Sequence, residues 1–226
     1  MIIMLKTRGL LYSREKPKKD AKLIIIYCEG KKREKQYFNY FSNISSNITL
    51  AVEAPEQDSK TNPLGLYEKA KSQIIKSEEN PTPIYEPDDE VWFVIDTDDW
   101  GSQIDELRES CIEQTNWNVV QSNPCFEVWL YYHQFKELET FENIERADGW
   151  KQYLNTKISG GFDSKKHPIF ISTAIENSKL NFENKISIGS TEIFKLAESF
   201  YPFVKDRVEE ALEISFKKLT THSDKI

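Results

Sequence analysis

Two unbroken apolar runs stand out along the chain, Leu23 to Cys28 and Val91 to Ile95. Both are rich in β-branched and aromatic residues. Runs of this length and composition suit strands buried on both faces, in the middle of a parallel sheet covered by helices. Ile48 to Ala54 alternates loosely and predicts a third strand, and Trp117 to Gln121 a short fourth. Helical spacing of apolar residues fills the gaps. Lys32 to about Asn43 carries Tyr37, Phe38, Tyr40 and Phe41 on one side, Leu64 to Lys76 carries Leu66, Ala70 and Ile74, and a third helix spans Ser102 to Glu113. Gly30 suits a tight strand-to-helix turn. Pro81, Pro83 and Pro87 mark a loop over 78–90. Asn123 is expected to cap a fourth helix with Pro124 in its first turn, and Phe126, Trp129, Leu130 and His133 as its buried stripe. The order β-α-β-α-β-α-β-α predicts a parallel four-stranded α/β sheet with right-handed crossovers.

Beyond Gln134 the strand signals stop. Helices are predicted over Trp150–Ile158, Ile171–Lys179, 191–200 and 202–217. The expected organisation is a basic arm over 1–20, an α/β domain over 21–135, a helical extension packed on it over 136–219, and a flexible tail over 220–226.

Composition narrows the class. The chain has 226 residues, 38% hydrophobic and 30% charged, enough for a real core. Its net charge of −7 argues against a passive nucleic-acid coat, which is usually basic. Residues 1–20 oppose that trend, with Lys6, Arg8, Arg14, Lys16, Lys18 and Lys19 against Glu15 and Asp20. No apolar run approaches the roughly 20 residues of a membrane span, so no membrane partner is expected. Cys28, Cys111 and Cys125 are odd in number and lack metal spacing, which predicts reduced thiols and a cytoplasmic setting.

The chemistry is expected where the second apolar run meets Asp96-Thr97-Asp98-Asp99. Open α/β sheets bind ligands at the carboxyl ends of their strands. Asp96 and Asp98 would point the same way, roughly 7 Å apart along an extended chain. Glu29, ending the first strand, would reach the same edge. Three carboxylates repel one another unless a cation joins them. Mg²⁺ or Mn²⁺ suits such hard oxygen donors. Metal-assisted phosphoryl transfer follows as the expected chemistry. The plainer alternative is an Asp-rich turn leading into a helix.

The motifs also resemble a known family. Glu-Gly after a first strand and Asp-x-Asp after a third resemble the Toprim domain of topoisomerases, primases and certain nucleases. The stretch Glu29-Gly30-Lys31-Lys32-Arg33-Glu34 is similar to an "EGxKTE" start, Glu90 to Asp98 to "DEVWxVxDxD", and Ser122 to Leu130 with His133 to "SNPxFExWLxxH". Lys165 and Lys166, in Gly160 to Pro168, fall where that family has a basic segment. The family is RloB, which includes AbiLii-type abortive-infection proteins, and the resemblance covers most of the chain. It implies a Toprim-type nuclease using Mg²⁺ or Mn²⁺ on DNA or RNA in antiphage defence, beside an AAA/ABC-type (RloA-like) ATPase. By position, Glu29, Asp96 and Asp98 would be the catalytic, metal-binding acids. Arg33 departs from the family's usual Thr, and Ser190-Thr191-Glu192 lacks a proline often found there.

Further residues extend the expected site. Glu34, Asn123 and Glu127 are candidates for supporting positions or a second metal. Lys31, Lys32, Lys165 and Lys166 are candidate phosphate contacts, with solvated charge as the alternative. His133 is expected to be a core residue. Oligomeric state stays open, a homo-oligomer included. Two other functions compete: a regulatory subunit keeping the scaffold without catalysis, and a haloacid-dehalogenase-type phosphatase, in which Glu29 would have no role.

Overall fold

A computed structural model describes residues 21–55, 62–74, 87–97 and 100–223. The arm over 1–20, most of the proline loop, Asp98 and Asp99 lie outside the described residues.

Four strands, β1 (Lys22–Cys28), β2 (Ile48–Glu53), β3 (Glu90–Asp96) and β4 (Trp117–Ser122), form one all-parallel sheet in the order β2-β1-β3-β4. Helices α1 (Arg33–Asn39), α2 (Pro63–Ile74) and α3 (Ser102–Ile112) connect them. α4 (Glu127–Tyr131), α5 (Ala147–Lys157), α6 (Ile171–Leu180) and α7 (Ile193–Ser223) follow, with a 3-10 turn at His167–Phe170. This is the expected α/β architecture, Rossmann-like, with its parallel crossovers. Among the described residues no helix is long and apolar enough to cross a membrane.

β3 is central and buried from Val91 to Ile95, as its unbroken apolar run predicts. Alternation sorts its side chains. Val91, Phe93 and Ile95 pack with Tyr27 of β1 and with α2 and α3. Trp92 and Val94 pack with Ile24, Ile26 and Cys28, with α1, and with the helices after β4. The C-terminal helices thus share one buried layer with α1, in which Trp129, Trp150, Phe200 and Tyr37 are fully buried.

Two local expectations change. The chain after β4 does not start a helix at Asn123. Asn123–Pro124 is a cis peptide and α4 begins at Glu127 after Phe126. Asn123 is engaged by its backbone, donating to Ser190 O at 3.0 Å and accepting from Gly189 N at 2.8 Å. A residue so paired is not an N-cap. Further on, one helix replaces the two predicted over 191–200 and 202–217. Pro202 sits inside α7 on its exposed side, while Leu196, Phe200, Val204 and Val208 hold the other side in the core. That packing outweighs the missing proline donor. α7 runs on to Ser223.

Candidate functional site at the carboxyl edge of the sheet

β1 leads to β2 on one side and β3 to β4 on the other, so strand order reverses between β1 and β3. Such a switch point opens a crevice at the carboxyl ends. Glu29 and Asp96 flank it. Glu29 N donates to Val94 O at 3.1 Å, and Asp96 N donates to Glu29 Oε2 at 3.1 Å. Trp100 Nε1 donates to Glu29 Oε1 in a short contact.

The acids divide between two faces. Glu29 continues the Tyr27 side of β1, towards Trp100, which packs against the α2–α3 layer. Asp96 continues the Val94 side of β3, and its charge adds to the rise in proton affinity that burial first, and Glu34 or Glu127 next, impose on the Cys28 and Cys125 thiols of the α1 layer. Glu34 and Glu127 lie on that same side, each almost fully buried. Glu34 is pressed over Gly30: a Cβ there would fall 2.0 Å from Glu34 Oε1. Only glycine admits this approach.

Burial raises the Glu34 pKa above its ordinary value and the Glu127 charge adds to the rise, while a backbone hydrogen bond, Lys151 and Arg33 oppose it. Arg33 Nε stands 3.9 Å from Glu127 Oε1. A cation placed between two such buried carboxylates would relieve their repulsion. The donors suit Mg²⁺ or Mn²⁺, and the residues that would hold such an ion are Asp96, Glu34 and Glu127 on one face, with Glu29 turned to the other. Among the described residues, no three His, Cys, Asp or Glu side chains already stand close enough to form a metal-binding group. Asp98, expected in that set, lies outside the described residues.

The candidate phosphate contacts lie on two turns. Lys31 and Lys32 are exposed in the turn before α1. Lys165 and Lys166 are exposed beyond Gly161; Lys166 Nζ pairs with Asp163 Oδ2 at 3.3 Å, and Lys165 N donates to Asp163 Oδ1 at 2.8 Å. Their loop is tied to α1 by Arg33 Nη1, which donates to Phe162 O at 3.5 Å. α5 closes another side: Cys125 Sγ meets Ala147 O at 3.9 Å, and Lys151 lies one turn further along. Asn123 is half-buried, held by its backbone beside Thr191 at the end of β4.

Two motif acids serve the opposite end of the sheet. Asp89 accepts Leu23 N at 2.8 Å, and Glu90 takes Lys22 Nζ at 2.5 Å and Trp92 Nε1 at 2.7 Å. His133 is a core residue, as expected: Nδ1 donates to Trp129 O and Nε2 accepts from the Tyr37 hydroxyl, each at 3.0 Å. That the Trp100 indole holds the Glu29 carboxylate was not readable from local pattern. Trp100, four residues past Asp96, was readable only as an aromatic near the acids. Lys151 carried no local signal.

A parallel α/β domain with Glu29 and Asp96 at its topological switch point defines the class. Within it, this chain belongs to the RloB-like family, whose model (RloB-like protein) matches residues 24–200. No curated protein and no solved structure matches the chain.

Proposed function

We propose that this protein is a Mg²⁺- or Mn²⁺-dependent nuclease that hydrolyses phosphodiester bonds of DNA or RNA in antiphage defence, working with an AAA/ABC-type ATPase. The observation that carries the reading is the meeting of Glu29 and Asp96 across the β1–β3 switch point, with Glu34 and Glu127 buried beside Asp96. When bound, the cation would neutralise charge on the phosphodiester and lower the pKa of an attacking water. Glu29, held by Trp100 and by Asp96 N, is the carboxylate that would accept a proton from that water. Arg33, Lys31, Lys32, Lys165 and Lys166 supply positive charge around the acids for the phosphate backbone. The defence role and the ATPase rest on membership of the family.

A second reading is a scaffold subunit without catalysis. One observation favours it: both Glu29 oxygens already accept hydrogen bonds from the protein. The two readings separate in one experiment. Purified protein, alone and with its neighbouring ATPase, is incubated with supercoiled DNA, single-stranded DNA and total RNA in Mg²⁺, Mn²⁺ or EDTA, beside Asp96→Ala. Cleavage that needs metal and disappears in the variant supports the nuclease. Inertness of every combination supports the scaffold. Release of phosphate from small phosphomonoesters alone would favour the phosphatase chemistry instead.

A further inference from the structure

Thr97, between Asp96 and Asp98, is gripped from outside its own strand. Thr97 N donates to Ser122 O at 2.9 Å and to Pro124 O at 3.1 Å. Its hydroxyl donates to Ser122 O at 2.9 Å and accepts from Gln121 Nε2 at 2.9 Å. The Gln121 amide is oriented in turn, because its Oε1 accepts from Arg108 Nη2 at 3.2 Å. Arg108, on α3, also donates to Val119 O at 3.4 Å and to Glu192 Oε2 at 2.6 Å. Glu192 is buried, bonds Lys195 Nζ at 2.6 Å through its other oxygen, and anchors its own N–H on Gln121 O at 2.8 Å. Thr97 continues the odd side of β3, the side that α3 covers, so the grip comes from the face opposite the Asp96 carboxylate.

We infer that Glu192, Arg108 and Gln121 are positioning residues: a polar relay from the start of α7 through α3 that holds Thr97 and so fixes the direction in which the neighbouring Asp96 carboxylate projects. The inference rests on the proposed cation site and adds the part that sets its geometry. Each link is directional. A carboxylate can only accept, a guanidinium can only donate, and the amide must present its oxygen to one neighbour and its nitrogen to the other. The whole chain therefore has one hydrogen-bonding pattern, and removing a middle member breaks both ends. A cation held by oxygen donors needs those donors fixed, and residues supporting metal ligands typically carry 10–100-fold of affinity, roughly, when removed.

The test uses the full chain with Gln121→Met, Arg108→Met and, as a control on an exposed pair remote from the relay, Lys179→Met. Two readouts are taken: hydrogen exchange at the Thr97 amide without metal, and Mn²⁺ affinity by calorimetry. The relay predicts faster exchange at Thr97 and an approximately tenfold or greater loss of Mn²⁺ affinity in both relay variants, with Lys179→Met unchanged. Arg108→Lys, which keeps the Glu192 pair, should recover part of the affinity. Should either relay variant refold poorly, Glu192→Gln supplies the same comparison with its volume kept. Unchanged Thr97 exchange in a folded relay variant overturns the inference, as does faster exchange with wild-type Mn²⁺ affinity. A wild type that takes up no Mn²⁺ overturns the proposed function and the cation half of the inference together, while the exchange data still decide whether the relay holds Thr97.

Discussion

The Glu29 carboxylate accepts the backbone N–H of Asp96, so the last turn of one central strand is bonded to the last residue of its neighbour. The two side chains nonetheless serve different layers. Asp96 shares its side with Glu34 and Glu127, and like charges in one buried place repel. Asp96→Asn should therefore cost little stability and at least about 100-fold in metal-supported cleavage. Thermal melting beside a cleavage time course checks both halves; a variant that cleaves as wild type would remove Asp96 from the chemistry.

Gly30 is the tightest packing point of the region. Gly30→Ala should drive the Glu34 carboxylate out of its buried position, because a Cβ would lie 2.0 Å from Glu34 Oε1. The atoms met are the far end of a flexible side chain, so stability should change little while Mn²⁺ binding weakens. Denaturant unfolding and calorimetry measure the two. The double variant Gly30→Ala/Glu34→Ala, with the colliding group gone, should recover no cation affinity.

Glu34 also sets a pH dependence. Its folded-state pKa is raised, by burial first and by Glu127 next. Between the unfolded and folded values the native state binds more protons than the unfolded state, so this contribution is complete below the unfolded pKa and is lost as pH rises through the folded one. Glu34→Gln should then gain stability relative to wild type at pH 7.5 more than at pH 4. Mn²⁺ should stabilise wild type at the higher pH and do less for the variant. Unfolding curves at the two pH values, with and without metal, give the answer.

The buried Tyr37–His133 pair works in the opposite sense. Burial lowers the His133 pKa to about 3, and its Nε2 must stay unprotonated to accept from Tyr37. This stability is present above the unfolded histidine value near 6.5 and is lost as pH falls towards the folded one. Tyr37→Phe leaves a buried ring nitrogen without its donor and should cost about 1–3 kcal/mol at pH 7. Denaturant midpoints for wild type and variant between pH 7 and pH 4 follow both effects.

Arg33 faces two ways, towards Glu127 and towards the backbone of the Lys165–Lys166 loop. On the proposed function, Arg33→Ala removes a cation that would compete with a metal for Glu127 and would also offer charge to phosphate. Mn²⁺ affinity should rise while affinity for an oligonucleotide falls, with the salt dependence of oligonucleotide binding reduced by about one unit of slope. Fluorescence anisotropy across a salt series and calorimetry read the two signs separately. A fall in both affinities would assign Arg33 a supporting role in the fold.

The strands and their parallel order were legible because burial on both faces writes itself as unbroken apolar runs, Leu23–Cys28 and Val91–Ile95. The meeting of Glu29 with Asp96 was legible because both end strands of one parallel sheet. What stayed hidden depends on long sequence separations. Glu192 lies 84 residues from its partner Arg108, and Asn123 bonds Ser190, 67 residues on. No periodicity encodes such pairs. Asn123 misled because Asn-Pro reads locally as a helix start, while the backbone of residues 189–190 takes up its hydrogen bonds. The division of Glu29 and Asp96 between two faces was not anticipated from the sequence, and Glu34 and Glu127 could be placed with Asp96 only once α1 and α4 were packed.

The clasp between Asn123 and residues 189–190 has an architectural consequence. The chain leaves β4 at one point and returns to that point after α4, α5 and α6, so everything between Pro124 and Ile188 is a loop tied shut at its base. The strands carrying Glu29 and Asp96 are complete before the loop begins. Its outermost part, the Lys165–Lys166 turn, contributes nothing to the sheet. A change of length there is closed off at the clasp, so the spacing of the strands that carry Glu29 and Asp96 is independent of it.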